Sequence, residues 1–561
     1  MARHLGRPFL NDRSNDQARR FGRPELGSVT LCFLTTLYLL LVTNWTFWGK
    51  AHGYLSGGAP FSAFVIGISA LFMAVVTLFS AKYITKPVLI FFIVVASAAS
   101  WFNDQFGVVI DKEMIRNAAV STGAEAGHLL TARFAIHLLL TAILPSLLIV
   151  WVRIRHRKIL PKLAQNTAII LGCVAIFAGA GISYYKTFAG VGRAHRDILA
   201  TLNPFMPINN AISYEVSTRK DSNIVAEPLG TDAHRVNIDA KGKPRVTIIV
   251  AGETARASNF SLGGYSRDTN PEMRKQSVVY FPNTTSCGTA TATSIPCMYS
   301  VYPRVDYTHR KGLQTQNLLD VLSHAKVGVT WLDNDTGSYN VTDRVAYEFL
   351  PNSKDPRFCK DGECLDAILL DKVDGWLDSV KGDSVLVLHQ LGSHGPAYFQ
   401  RYPDEFRRFT PDCRANDFGT CTPEEITNAY DNTILYTDHV VSVVIDKIKQ
   451  RAEKLNGAVV YVSDHGESLG ENGIYLHGTP YFIAPAQQTH VPFLAWLSDD
   501  LSTSAGFDRK CLGERASAAY SHDNFFHSIL GLMDVSTKVY DPKRDIFSEC
   551  RRPAAAVASA G

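Results

Sequence analysis

Residues 458–468 read AVVYVSDHGES. The run up to Ser463 is apolar or small with no polar alternation, the pattern of a strand buried on both faces. It then stops on Asp464, His465, Gly466 and Glu467. Working outward, the same design recurs. Residues 246–251 (VTIIVA) lead into Gly252, Glu253 and Thr254, and 384–389 (SVLVLH) lead into QLGSHGP at 390–396, which carries His394. Further apolar runs lie at 327–332 and 491–497, with helical segments at 315–324, 365–379 and 426–450 between them. Continuous apolar strands alternating with helices predict an α/β domain whose mostly parallel sheet is covered on both faces. In such sheets chemistry gathers beyond the carboxyl ends of the strands. Three neighbouring strands would then aim Glu253, Asp464 and the histidines His389, His394 and His465 at one place. Oxygen and imidazole donors of this kind suit Zn2+ or Mn2+. Each motif alone has a plainer reading, since a post-strand Asp often caps a helix and His-Gly-Pro often makes a turn.

Between the first two of these strands lies CGTATATSIPC, residues 287–297. A turn of small residues opening a helix offers free backbone N–H groups to an anion. A hydroxyl there could attack phosphorus if a metal lowered its pKa. Composition leaves Thr289, Thr291 and Thr293 as equal candidates. The plain alternative is a stapled surface loop rich in Ser and Thr.

The N-terminal third is different in kind. Five stretches free of Asp, Glu, Lys and Arg lie at 29–49, 58–81, 87–102, 134–152 and 163–185. A helix needs about 20 mostly apolar residues to cross the hydrocarbon, so these predict five membrane spans, the third being the shortest. Basic residues set the orientation. The N-terminal arm holds Arg3, Arg7, Arg13, Arg19, Arg20 and Arg23, the second loop Lys82 and Lys86, and the fourth Arg153, Arg155, Arg157, Lys158 and Lys162. The first loop offers Lys50, and the third only Lys112, Arg116 and Arg133. Spans starting inside therefore leave everything after about residue 186 exported. The first span ends in Trp45, Phe47 and Trp48 with no small-residue cleavage site, so it reads as a signal anchor.

Across the 561 residues, 56 Lys and Arg stand against 52 Asp and Glu, too even a balance for a nucleic-acid binder. The hydrophobic share of 46% excludes a disordered chain. Eight of the ten cysteines fall in the exported part, where disulfides form. Proximity pairs Cys287 with Cys297, Cys359 with Cys364 and Cys413 with Cys421, leaving Cys511 and Cys550 together by elimination. The expected organisation is an arm at 1–28, a five-helix membrane domain at 29–185 with an external loop at 103–133, an interfacial linker at 186–235, a catalytic domain at 236–552 and a disordered Ala-rich tail at 553–561.

On these residues the chain resembles the lipid A phosphoethanolamine transferases, the family that includes the mobilised colistin-resistance enzymes. The matching elements are the five spans, VAGETAR around Glu253, the Cys-Gly-Thr-x-Thr loop, HQLGSHGP at 389–396, and SDHGESLGENG at 463–473 followed by His477. The resemblance implies an alkaline-phosphatase-like domain with Thr291 as nucleophile. It implies a tightly bound Zn2+ held by Glu253, Thr291, Asp464 and His465, with His394 and His477 binding the phosphoryl group or a second zinc. FGVVIDKEMIRN at 106–117 resembles the family's external loop, which places Asn117 and Glu125 against the lipid substrate. Read without the family, Glu125 is a solvated loop charge. Also implied are phosphatidylethanolamine as donor, lipid A as acceptor, an inner-membrane location with the catalytic domain in the periplasm, and a monomer.

One stretch departs from the family pattern. In DNDTGSYNVTDR at 333–344, Tyr339 stands where members commonly carry Lys, and Ser338 and Thr342 stand where some have a Cys pair. The competing readings are the same chemistry on another glycan or glycolipid, and glycerol-phosphate transfer of the lipoteichoic acid synthase type. A sulfatase lacks support because no Cys-x-Pro-x-Arg signature occurs.

Overall fold

A computed structural model describes residues 23–155, 157–195, 197–236 and 242–552. Arg3, Arg7, Arg13, Arg19 and Arg20, and the tail from Pro553, lie outside the described residues. The chain divides into two compact units: Met1–Thr43 with Leu55–Ser97 and Leu138–Val191, and Asn44–Tyr54 with Ala98–His137 and Gly192–Gly561.

The apolar runs fold as helices α1 (Ser28–Val42), α2 (Trp45–Leu55), α3 (Gly58–Leu78) and α4 (Thr85–Phe106). Then come α5 (Lys112–Val120), α6 (Gly123–Leu129), α7 (Ala132–Trp151) and α8 (Ile159–Ser183). Four of them, α3, α4, α7 and α8, are long and apolar enough to cross a membrane by themselves. Helix α8 buries none of its residues, and Leu160, Leu171 and Ile182 are 78%, 63% and 74% exposed. Such a surface is stable in hydrocarbon, where a helix satisfies its own backbone. Gly67 of α3 lets that helix close on Phe177 and Ala180 of α8, the use small residues have at membrane helix crossings.

Two local features depart from the expected spans. The first run is not one helix: it breaks at Thr43 and Asn44 and resumes as α2. The Thr43 hydroxyl donates back to the Leu39 carbonyl at 2.8 Å, and the Asn44 amide exchanges hydrogen bonds of 2.9 and 2.8 Å with the backbone of Asn203. The third span is longer than its charge-free core. Lys86 stays inside α4 because its ammonium donates to the carbonyls of Val150 and Val152 at 2.9 and 2.5 Å. In α7 a π-helical turn at Leu139–Ile143 precedes Pro145. Proline has no N–H for the Thr141 carbonyl, which accepts the hydroxyls of Tyr38 and Ser97 at 2.7 and 2.8 Å instead.

The second unit is built on an eight-stranded sheet. Its strands are β1 (Arg245–Gly252), β2 (Val279–Thr285), β3 (Gly328–Asp333), β4 (Ala346–Phe349), β5 (Ser384–His389), β6 (Asn456–Ser463), β7 (His490–Leu497) and β8 (Tyr520–Ser521). They lie in the order β8-β2-β7-β6-β1-β5-β3-β4. All contacts are parallel except those of β7, which runs against β6 and β2, so the sheet is mixed with a single reversed strand. The central neighbours β6, β1 and β5 are in register, with Ser463 beside Gly252 and His389 beside Ala251. Both faces are covered: alternate residues of β1 from Val246 to Ala251 are all fully buried. Ile249 and Ala251 join Phe281, Trp331 and Phe525 in the larger core.

Three further helices matter to the site. Helix α9 (Phe205–Asp221) falls in the expected linker and packs on α5. Helix α10 (Thr291–Met298) follows the small-residue loop, and α11 (Pro423–Lys449) begins at a capping box of Thr422 and Glu425 and packs on β6. The four disulfides join Cys287 to Cys297, Cys359 to Cys364, Cys413 to Cys421 and Cys511 to Cys550, all in this unit.

Ile249 sits mid-strand at the centre of the sheet with no exposure. Ile249→Ala is expected to cost about 2–5 kcal/mol, read as a lowered Tm of the full-length protein. An unchanged Tm would contradict this placement of the core.

Candidate active site and metal centre

The site is assembled where β1, β6 and β5 end. Glu253 leaves β1 and is turned by Thr254, whose φ of 59° is left-handed. That backbone is held by Tyr430, whose hydroxyl donates to the Thr254 carbonyl at 2.7 Å, and the Thr254 side chain hydrogen-bonds the Glu253 carboxylate. Gly392 packs across it at a φ of +52°, where a Cβ would fall 2.6 Å from the Glu253 carbonyl oxygen. Only glycine serves there.

Asp464 and His465 leave β6 next door. His465 donates its Nδ1–H to the Gly466 carbonyl at 2.9 Å, so its Nε2 carries a lone pair. That nitrogen lies 3.2 Å from the Thr291 hydroxyl, 3.3 Å from Asp464 Oδ2 and 3.5 Å from Glu253 Oε1. Thr291 Oγ1 is also 3.2 Å from Glu253 Oε2. All four residues are 2% exposed or less. Burial, and then the charge of Asp464, pushes the Glu253 carboxyl well above the carboxylate range. Burial pushes Asp464 up to about 6 and holds His465 well below an ordinary imidazole.

Two carboxylates and an imidazole lone pair thus converge in a dry space. Asp464 Oδ2 has no hydrogen-bond partner, and the ligand atoms of Glu253, Asp464 and His465 all lie within 4.8 Å of one another. Acceptors facing acceptors are unstable in that setting unless a cation lies among them. Three donors plus the Thr291 oxygen fit a tetrahedral zinc ion.

The neighbouring threonines are otherwise engaged. Thr289 donates to the Thr479 carbonyl at 2.7 Å, and Thr293 to the Glu113 carboxylate of α5 at 2.9 Å. Of the three, Thr291 alone meets the acidic cluster. It is the first residue of α10, and the disulfide from Cys287 to Cys297 closes that turn. His522, which the sequence reading passed over, ties this loop to the sheet. Its Nδ1 accepts from the Cys287 N–H at 3.1 Å, and its Nε2 donates to the Ser463 carbonyl at 3.0 Å. Burial keeps it neutral, down to about 4.

His394 and His477 stand beside the cluster, their rings 5.2 Å apart, with His477 4.6 Å from the His465 ring. Glu467 orients His477 through Nδ1 at 3.0 Å and accepts the Tyr398 hydroxyl at 2.6 Å. The loop at 103–133 reaches the same place. Glu125, at the start of α6, lies 3.3 Å from His394 Nε2 with its side chain 13% exposed, so it is no solvated loop charge. His128 and Glu363 meet at 2.8 Å on the same helix's far turn. Asn117 is buried on α5, and among the described residues no hydrogen bond joins its side chain to the cluster. Tyr339 is hydrogen-bonded to the Thr336 hydroxyl, while Ser338 and Thr342 meet at 2.6 Å.

Fold and site together define a membrane-anchored enzyme on a sulfatase-type α/β domain. The sulfatase family model matches residues 245–535, and that of phosphoethanolamine transferase EptA/EptB matches 68–218. The chain is 38% identical to phosphoethanolamine transferase EptA of Salmonella typhimurium over 94% of its own length and 98% of that protein's. It is 32% identical to phosphatidylethanolamine transferase Mcr-1 of Escherichia coli, over 92% and 97%. The integral membrane lipooligosaccharide phosphoethanolamine transferase A of Neisseria meningitidis superposes with a TM-score of 0.90 at 36% identity, covering 94% of this chain and all of that one. The chain therefore belongs to the phosphoethanolamine transferases. It is a multi-pass membrane protein with a soluble domain.

The pair of Glu125 and His394 gives a pH prediction. Burial works against the charge on both, yet each partner more than offsets it, raising His394 to about 9 and lowering Glu125 to about 2. The stability the pair contributes is lost as pH rises through the first value or falls through the second. In an NMR titration the His394 ring should titrate near 9, and Glu125→Gln should move its midpoint down. An unmoved midpoint would show that Glu125 does not set the charge on His394.

Proposed function

We propose that this protein moves phosphoethanolamine from phosphatidylethanolamine to a phosphate group of lipid A through a phosphoethanolamine-Thr291 intermediate. The observation that carries the reading is the Thr291 hydroxyl, buried at the start of α10 and 3.2 Å from both Glu253 and His465. Relatives along nearly the whole chain bear the names phosphoethanolamine and phosphatidylethanolamine transferase.

Zn2+ is the cofactor, held by Glu253, Thr291, Asp464 and His465; when bound it lowers the pKa of the Thr291 hydroxyl and offsets charge on the phosphoryl oxygens. Thr291 Oγ1 attacks phosphorus and diacylglycerol leaves. The Glu253 carboxylate, 3.2 Å from Oγ1, is the acceptor for the Thr291 proton, which passes on to the departing diacylglycerol oxygen. His394, charged at neutral pH by its pairing with Glu125, and His477, aimed by Glu467, steady the equatorial oxygens. The N–H groups of Thr291 and Ala292, at the start of α10, assist them. The acceptor phosphate then attacks the intermediate and regenerates Thr291. Asn117 and Glu125 line the approach of the lipid headgroup.

The membrane part spans the inner membrane five times, α1 and α2 together forming the first span, and places the catalytic domain in the periplasm, consistent with the basic loops on the opposite side. The segment at 186–235 lies along the membrane interface and the protein acts as a monomer. Each ethanolamine ammonium offsets a phosphate charge on the cell surface, so cationic peptides and polymyxin bind less well. One observation favours a second reading, the same chemistry on another glycolipid: Tyr339, bound to Thr336, supplies no positive charge for an acceptor phosphate.

Mass spectrometry of lipid A from cells expressing the wild type and Thr291→Ala tests the proposal. A phosphoethanolamine increment is expected with the wild type only. The same increment with the variant would refute the nucleophile, and none with either would move the acceptor away from lipid A.

A further inference from the structure

The unpaired buried acceptors do not end with the Thr291 cluster. Asp333, the last residue of β3, has a carboxylate that accepts from four donors: Trp331 Nε1 at 2.9 Å, the Asp335 and Gly337 N–H groups at 3.0 and 3.2 Å, and His389 Nδ1 at 3.0 Å. It accepts the Nδ1–H of His389 and so fixes the orientation of the ring. That leaves Nε2 as the ring's second polar atom. It is fully buried, has no hydrogen-bond partner and faces Asp335 Oδ2 at 3.8 Å.

Asp335 shows the complementary deficit. Its Oδ2 accepts the Thr336 hydroxyl at 2.8 Å, whereas its Oδ1 is buried with no partner. Among the described residues no Lys or Arg pairs with it. Glu253 closes the group: one ligand atom each from Glu253, Asp335 and His389 lie within 4.8 Å of one another, and Glu253 also belongs to the Thr291 cluster. A carboxylate that fixes one ring nitrogen of a buried histidine while the other faces further carboxylates is the outer shell of a metal ligand.

We propose that Glu253, Asp335 and His389 hold a second divalent cation beside the one at Thr291, the Glu253 carboxylate serving both. This rests on the Thr291 cluster being the first metal site. Two carboxylates and one imidazole suit Zn2+ or Mn2+. A cavity of about 20 Å3, with room for one water, opens beside Asp335. The second cation neutralises Asp335 and adds positive charge on the side of the site where Tyr339 has none. Its ligands come from the end of β5 and from the turns after β1 and β3, so it is separate from the pair of His394 and His477.

The test is metal stoichiometry. Full-length protein in detergent is stripped with a chelator, reloaded with Zn2+ or with Mn2+, desalted and measured by mass spectrometry of its metal content. The wild type should hold about two ions per chain, and Asp335→Ala and His389→Gln about one each. A wild-type elution profile and Tm identify the variants that fold, and either one suffices. One ion in the wild type, kept in Asp335→Ala and lost in Asp464→Asn, would overturn this inference and leave the Thr291 centre standing. A second ion that survives Asp335→Ala but disappears in His477→Ala would overturn it too. No ion in the wild type would overturn both. Full occupancy of one site with His389 titrating as a free imidazolium would assign the buried group a proton in place of a metal.

Discussion

The structure depends on one electrostatic constraint: Glu253, Asp464 and His465 present acceptor atoms to one another at 0–1% exposure. Water cannot screen them, and no Lys or Arg side chain pairs with any of the three among the described residues. Such a cluster holds together around a cation. Much of the surrounding architecture keeps these atoms from drifting apart. The register of β1 with β6 sets Glu253 against Asp464, the left-handed turn at Thr254 directs the glutamate inward, and Gly392 gives it room. The disulfide from Cys287 to Cys297 and the two hydrogen bonds of His522 hold Thr291 at the same point.

The loop at 103–133 contributes to the same site. Residues 98–137 belong to the same compact unit as the sheet. Helix α5 meets α10 through Thr293 and Glu113, while α6 delivers Glu125 to His394 and His128 to Glu363. The charge on His394 is therefore set by a residue from the membrane-proximal part of the sequence. A catalytic domain severed from that loop would keep the Thr291 cluster and lose this control.

The sequence disclosed the architecture wherever the pattern was local. The apolar runs at 246–251, 384–389 and 458–463 became the three central strands, and their terminal residues converge as expected. The edge strands β4 and β8 were too short and too polar to register, and the reversal of β7 has no local signature. Break points were hidden for the same reason: Asn44 ends α1 by bonding to Asn203, a partner 159 positions away. Thr289, Thr291 and Thr293 were equivalent by composition, and only the hydrogen bonds to Thr479 and Glu113 distinguish them. His522 carried no motif at all. Asp335 and His389 lay within quoted motifs, but their roles depend on which atoms lack partners, and that is visible only in three dimensions.

If the proposed chemistry holds, Thr291 becomes covalently loaded in a metal-dependent step. The most direct measurement is peptide mass spectrometry of the full-length protein after brief incubation with phosphatidylethanolamine and no acceptor. The account predicts a phosphoethanolamine increment on the peptide containing Thr291, lost after chelation and restored by Zn2+. An increment on another residue, or an undiminished one after chelation, would contradict it.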